Sequence, residues 1–149
     1  MNEARNAIRF SEVRKGEPFF TPSRSHPDDA AFDLYASEML VLHAGSFTNV
    51  PTNVRVKFPK GYYGRITGRS STIRKYSIRV EEGIIDTGYT GELYIAVWNL
   101  LDQPAIVSVK QRLAQLCIHQ WYPMTFEYEE DWDAIESTRG SSGFGSTGE

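Results

Sequence analysis

Apolar and polar positions alternate in several short stretches of this chain. Val54-Arg55-Val56-Lys57-Phe58 sets apolar side chains against cations with a period of two, the pattern of a half-buried strand, and Pro59-Lys60-Gly61 follows as a turn. Leu93 to Trp98 is apolar in both phases and rich in β-branched and aromatic residues, which predicts a strand covered on both faces, broken by the stretch from Asn99 to Pro104. Ile106 to Val109 and Leu113 to Ile118 predict two further strands. Strand signals recur at a spacing of about ten residues with turns between them, the arrangement of an all-β sandwich or barrel. Helix is confined to one short window, Ser70 to Tyr76.

Composition narrows the class. Hydrophobic residues make up 40% and charged residues 23% of 149, enough for a packed core and unlike a disordered or collagen-like chain. No run approaches the roughly eighteen apolar residues of a membrane span, and the N-terminus lacks the apolar stretch of an export signal. A soluble intracellular protein is expected, cytoplasmic or nuclear, with no membrane partner. From about Phe126 the character changes to an acidic stretch and then a Gly/Ser-rich end. The chain is therefore divided into a β domain, 1–136, and a flexible glycine-rich tail, 137–149. Cys117 is the single cysteine and is assigned to the core. The three histidines, His26, His43 and His119, have no metal-ligand spacing, so Cys- and His-based metal chemistry is excluded.

The net charge is −3, which gives no reason to expect a stable nucleic-acid complex. Its distribution is uneven. Between Met39 and Val80 there is no Asp or Glu, while Arg55, Lys57, Lys60, Arg65, Arg69, Arg74, Lys75 and Arg79 fall there. That stretch is either a solvated face or the flank of an anion site.

Four segments concentrate chemistry. Asp33 interrupts the apolar run Ala30 to Ser37, and a carboxylate in such a place needs a partner, with backbone amides the plain structural possibility. Gly68-Arg69-Ser70-Ser71 precedes the helical window; Arg69 offers a bidentate fork, and the serine hydroxyls could serve an anion, although Ser70 as a helix cap accounts for it equally well. Glycines around Gly83 to Glu92 predict a tight hairpin with Asp86 and Tyr89 on opposite sides of its turn. The tail sets Phe144 and the hydroxyls of Ser146 and Thr147 among glycines, which is either an unstructured end or a phosphate cradle with a stacking face.

In this order the segments resemble the motifs of the trimeric dUTPase family. Ala30 to Ser37 matches its first motif, Gly68 to Ser71 the second, Gly83 to Glu92 the third, Gln111 to Leu116 the fourth and Arg139 to Gly148 the fifth. The resemblance runs from about residue 20 to the end. It implies a distorted jelly-roll β-barrel with a short helix, assembled as a homotrimer whose active sites are shared between subunits. It implies hydrolysis of dUTP to dUMP and pyrophosphate by water attack on the α-phosphorus, supplying dUMP and keeping uracil out of DNA. Asp86 would deprotonate the water. Tyr89 would pack under the deoxyribose, and Gly83, Ile84 and Ile85 would read uracil through their backbone. Arg69, Ser70, Ser71 and Gln115 would hold phosphates; Arg139, Gly145, Ser146 and Thr147 would close on the distal ones, with Phe144 stacked on the base. Asp33 would act through water on Mg2+ carried mainly by the triphosphate.

The sequence departs from the family pattern in places. Ala31-Phe32 precedes Asp33 where Gly-Tyr is common, Ser71-Thr72-Ile73 follows Arg69-Ser70, and Lys110-Gln111 replaces the usual Gly-Asp before Arg112. Asp86-Thr87-Gly88 is also the local signature of aspartic proteases, but the bulky Tyr89 follows and Leu113 to Ile118 lacks the glycine of their second element. The related dCTP deaminases place a catalytic Glu where Ala96 stands, which removes their proton shuttle. A dUTP-binding regulatory module is the remaining alternative, separable only by turnover.

Overall fold

Strands dominate the regular structure. The computed structural model describes residues 7–142, with strands β1 (Arg9–Glu12), β2 (Ala31–Tyr35), β3 (Leu40–Leu42), β4 (Phe47–Lys57) and β5 (Tyr62–Gly68), then helix α1 (Ser70–Tyr76). β6 (Ile78–Val80), β7 (Gly83–Ile85), β8 (Glu92–Asn99), β9 (Ala105–Val107) and β10 (Arg112–Gln120) follow. Two four-stranded antiparallel sheets, ordered β1-β4-β8-β6 and β2-β10-β5-β7, face each other, and β3 pairs with β9 in a small ribbon. This is the expected all-β, jelly-roll-like architecture, with the helix where the sequence put it.

The core lies between the sheets. Val50, Val54, Leu93, Ile95 and Val97 from one sheet meet Leu34, Ile66, Leu113 and Leu116 from the other, all but fully buried. Gly64 is set by this packing: a Cβ there would lie 2.6 Å from the Phe58 ring and 2.8 Å from a Leu116 methyl, both buried side chains. β8 departs from expectation. Its odd residues point inward, but Tyr94 and Trp98 on the other phase are exposed, because nothing in the described chain covers that face.

The third-motif segment also differs from the hairpin read in the sequence. β7 pairs with β5 and β8 with β4 and β6, so the two arms separate into opposite sheets. The reason lies at Glu92, whose carboxylate is drawn inward. Its Oε1 accepts from the Asn53 amide at 2.7 Å, and Arg14 grips both oxygens at 2.5 and 3.1 Å. Asn53 itself takes a left-handed φ of 56° at an irregularity in β4, where register shifts between Pro51 and Arg55. Its side chain accepts from the amides of Val13 and Arg14 and donates to carbonyls of Arg14, Glu17 and Pro18. One polar knot thus ties the N-terminal segment to both central strands of a sheet.

β10 is the last strand among the described residues. From Trp121 to Ser142 the chain is irregular, with a 3-10 turn at Trp132–Ala134 and a further turn closed by Ser142 N and the Arg139 carbonyl, and its side chains are exposed, among them Met124, Phe126 and Tyr128. Among the described residues no helix is long and apolar enough to cross a membrane.

Burial pushes the Glu92 carboxyl up, but the Arg14 guanidinium and the Asn53 amide more than offset this and hold it below its ordinary value of 4.5. A depressed carboxylate stabilises the fold above its unfolded value, and the contribution is lost as pH falls through the folded one. Glu92→Gln is therefore expected to cost about 1.5–3 kcal/mol at neutral pH and to flatten the loss of stability below pH 4.5. Urea titrations of both proteins across pH 3–7 check this; parallel stability curves would refute it.

Candidate active site

Of the residues singled out from sequence, Asp33, Arg69, Ser70, Ser71 and Gln115 gather in one cavity and Ile84 and Asp86 in another, while Gly83, Ile85, Tyr89 and Arg139 line neither. The first, of about 370 Å³, is lined by Asp33, Arg69, Ser70, Ser71 and Gln115, with Ser25 and Cys117 on its wall. The second, of about 500 Å³, is lined by Ile84, Asp86, Thr87 and Gly88 together with Tyr63 and Trp121. β5 runs between them, bonded to β10 on one side and β7 on the other.

In the first cavity, the cross-strand register sets Asp33 opposite Gln115 and Gln115 opposite Thr67. Asp33 is buried, and its partners are two arginines where backbone amides had been the plain possibility. Arg69 Nε meets Oδ1 at 2.7 Å and Arg112 Nη1 meets Oδ2 at 3.2 Å. Arg69 Nη1 donates to Ser71 Oγ at 3.3 Å, so Nη2 is left without a partner among the described residues and is available to an anion. The N-cap position belongs to Arg69, not Ser70, and makes no side-chain cap bond; Ser70 is the first helical residue and stays exposed. The helix is anchored by buried Thr72, whose hydroxyl donates to the Leu113 carbonyl at 2.6 Å. Gln115 Nε2 donates to Thr67 Oγ1 and the Gly68 carbonyl, both at 3.3 Å. Cys117 is half-buried at the cavity wall, a correction to its assignment to the core: on β10 it alternates with the buried Leu116 and so faces outward.

In the second cavity the Asp86 carboxylate is exposed and has no hydrogen-bond or ion-pair partner among the described residues. The turn beneath it is held firmly. Tyr89 N donates to the Asp86 carbonyl at 3.0 Å. Thr87 Oγ1 donates to the Tyr62 carbonyl at 2.5 Å and accepts from Trp121 Nε1 at 2.9 Å, while Lys57 Nζ reaches the Thr87 carbonyl at 3.2 Å. A carboxylate so supported has both oxygens open to hydrogen bonds from a ligand. The Tyr89 hydroxyl donates to the Glu92 carbonyl at 2.8 Å, which lays its ring across Gly91; a Cβ at 91 would fall 2.6 Å from the ring. β7 is an edge strand whose inner side is taken by β5, so the outer backbone groups of Gly83 to Ile85 remain for a ligand.

Sequence reasoning did not single out Thr87, Trp121, Tyr63, Ser25 or Arg112 as site residues. Arg112 sat in a quoted motif, whereas Trp121 follows the last strand with no local signal of its partner at Thr87. Arg139 is exposed, its Nε bonded only to the Ser142 carbonyl at 2.9 Å, and has no acidic partner among the described residues. Phe144, Gly145, Ser146 and Thr147 lie outside the described residues.

Among the described residues no three His, Cys, Asp or Glu side chains cluster to cage a metal. Both Asp33 oxygens already meet cations, which suits a contact through water and not direct ligation; magnesium, which retains its waters and is carried by phosphates, is compatible with that donor set.

Comparison with known proteins identifies the family. The dUTPase family model matches residues 17–148. A deoxyuridine 5'-triphosphate nucleotidohydrolase of avian adenovirus 8 is 37% identical over 91% of this chain and 82% of its own. One from Solanum lycopersicum is 35% identical over 95% and 83%. Among solved structures, a Staphylococcus bacteriophage 80alpha dUTPase with dUpNHpp superposes with TM-score 0.85 at 26% identity, covering 96% of this chain and 99% of that one. The phage phi11 dUTPase, described with a structural Mg(II) ion, matches at TM-score 0.79 and 24% identity over 87% and 100%, which supports the fold alone. With a family match spanning both cavities and the turn that carries Asp86, the chain belongs to the dUTPase family.

Proposed function

We propose that the protein hydrolyses dUTP to dUMP and pyrophosphate, with Asp86 as the general base. The observation that carries this reading is the unpartnered Asp86 carboxylate on a turn fixed at Thr87 and Tyr89. Asp86 takes the proton of a water that attacks the α-phosphorus; the bond from that phosphorus to the bridging oxygen breaks, and pyrophosphate leaves. The free edge of β7 offers backbone donors and acceptors to uracil, and the Tyr89 ring, held over Gly91, packs against the deoxyribose. Arg69 Nη2, Ser70, Ser71 and Gln115 bind phosphate oxygens, with Asp33 holding the Arg69 fork in place. Asp33 would hold magnesium through water, and the ion carried by the triphosphate would supply charge neutralisation there. Positioning and charge neutralisation are what phosphoryl transfer asks of a protein, so no His or Cys is needed.

The two cavities of one chain hold different parts of this machinery, which supports a homotrimer with shared sites. The open outer face of β8 and the exposed apolar residues after Trp121 are consistent with coverage by other copies. Residues 137–149, with Arg139 lacking an acidic partner among the described residues, would close over the bound nucleotide. Its substrate puts the reaction inside the cell, cytoplasmic or nuclear. Deamination is disfavoured because Ala96 offers no acid or base where the deaminases have one.

Three measurements test this. Asp86→Asn keeps the shape but cannot accept a proton, so kcat is expected to fall about 10²–10⁴-fold with nucleotide binding retained; turnover near the wild-type rate would remove Asp86 from that role and leave a regulatory binding module as the better reading. UTP is expected to be a poor substrate, and Tyr89→Ala to narrow the preference for dUTP; equal wild-type rates on both would sink the sugar assignment. Arg69→Ala and Asp86→Asn should each be inactive alone. If sites are shared between chains, a co-refolded equal mixture regains about one quarter of wild-type activity, whereas no recovery points to sites within single chains.

A further inference from the structure

We propose that Trp121 is a positioning residue for Asp86, acting through Thr87; this rests on the reading of Asp86 as the general base. Trp121 stands immediately after β10, and both its backbone and its side chain grip the same region. Its amide donates to the Gly61 carbonyl at 3.0 Å, and its indole Nε1 donates to Thr87 Oγ1 at 2.9 Å. The Thr87 hydroxyl passes its own proton to the Tyr62 carbonyl at 2.5 Å. A hydroxyl has one proton to give, so the indole N–H and the Tyr62 carbonyl together fix its rotor and its χ1. The chain runs from a tryptophan whose amide is bonded to the β4–β5 turn, through its indole N–H and one hydroxyl, back to the first residue of β5.

The neighbour of Thr87 is Asp86. The carbonyl of the peptide that joins the two residues accepts from Tyr89 N at 3.0 Å, and Thr87 is held just beyond it at its hydroxyl and, through Lys57 Nζ, at its own carbonyl. Asp86 has no side-chain partner among the described residues, so its aim is set by its backbone. Trp121 also lines the Asp86 cavity, with Tyr63 and Ile84. It is 40% exposed, so its truncation leaves the core between the sheets intact. Removing the indole N–H alone is thus expected to loosen the base without removing any group that touches the nucleotide's phosphates.

The experiment compares kcat, KM for dUTP and melting temperature for Trp121→Phe, Thr87→Val, the double variant, Thr87→Ser and Asp86→Asn. A base displaced by a fraction of an ångström loses rate and not affinity, so each of the first two is expected to lose about tenfold in kcat with KM within about twofold of wild type. The double variant should lose no more than either single, because both cut one chain of hydrogen bonds. Thr87→Ser keeps the hydroxyl and should restore most of the lost rate. The proposal is overturned if Trp121→Phe keeps kcat within about twofold of wild type, or if the losses of the two single variants multiply in the double variant. Should Trp121→Phe fail to fold, Thr87→Val decides by the same kcat criterion. Asp86→Asn separates the two ideas: if it is inactive while Trp121→Phe is fully active, only the positioning role falls, and if Asp86→Asn itself turns over normally, the base assignment falls.

Discussion

The hydrogen-bond register of β5 is the constraint on which the molecule's chemistry rests. One edge of that strand aligns Gln115 with Thr67 and so sets the floor beneath Arg69; the other aligns Gly64 with Ile85 and so sets the strand that leads into Asp86. Side chains in a sheet alternate faces, and a slip of one residue would reverse every one of them. Gly64 guards against such a slip, since only a residue without a Cβ fits between Phe58 and Leu116. The two half-sites are therefore spaced by backbone geometry, which is stiffer than any side-chain contact.

Electrostatics around this strand are more balanced than the basic stretch suggests. Arg65 pairs with Glu82, Arg79 with Glu81, and Arg69 with Asp33, so acids outside the stretch neutralise much of it. The two pairs at Glu81 and Glu82 are exposed and contribute little to stability. The Asp33 pair differs because it is buried and shared by two arginines. Breaking it would strand a charge, while keeping it holds a guanidinium with one corner free. An arginine so constrained binds an anion at a smaller entropic cost than a free one.

Much of this was legible in the residues. Period-two alternation located the end of β4 and β10, apolar runs located β8 and β9, and the window from Ser70 to Tyr76 is the helix to the residue. What escaped were features decided by distant partners. Leu93 to Trp98 looks buried on both sides because Tyr94 and Trp98 are apolar, yet among the described residues nothing covers them. The glycines from Gly83 to Gly91 read as a hairpin, but the pull of Arg14 and Asn53 on Glu92 carries the second arm to the other sheet. Asp33 announced a need for a partner without naming Arg112, seventy-nine positions away, and the Thr87–Trp121 bond spans thirty-four. Local pattern encodes elements; pairings across the sandwich are written in sequence separations that no window covers.

The Tyr89–Gly91 contact constrains how this sequence can change over time. The ring occupies the space that any side chain at 91 would need, and the hydroxyl is tied to the very next carbonyl, that of Glu92. A lineage that substitutes Gly91 while the ring remains must expel the tyrosine from its place, whereas one that first loses the ring is free to drift at 91. The two positions are thus epistatic, and selection on the place of the tyrosine ring is felt as selection on the glycine beneath it.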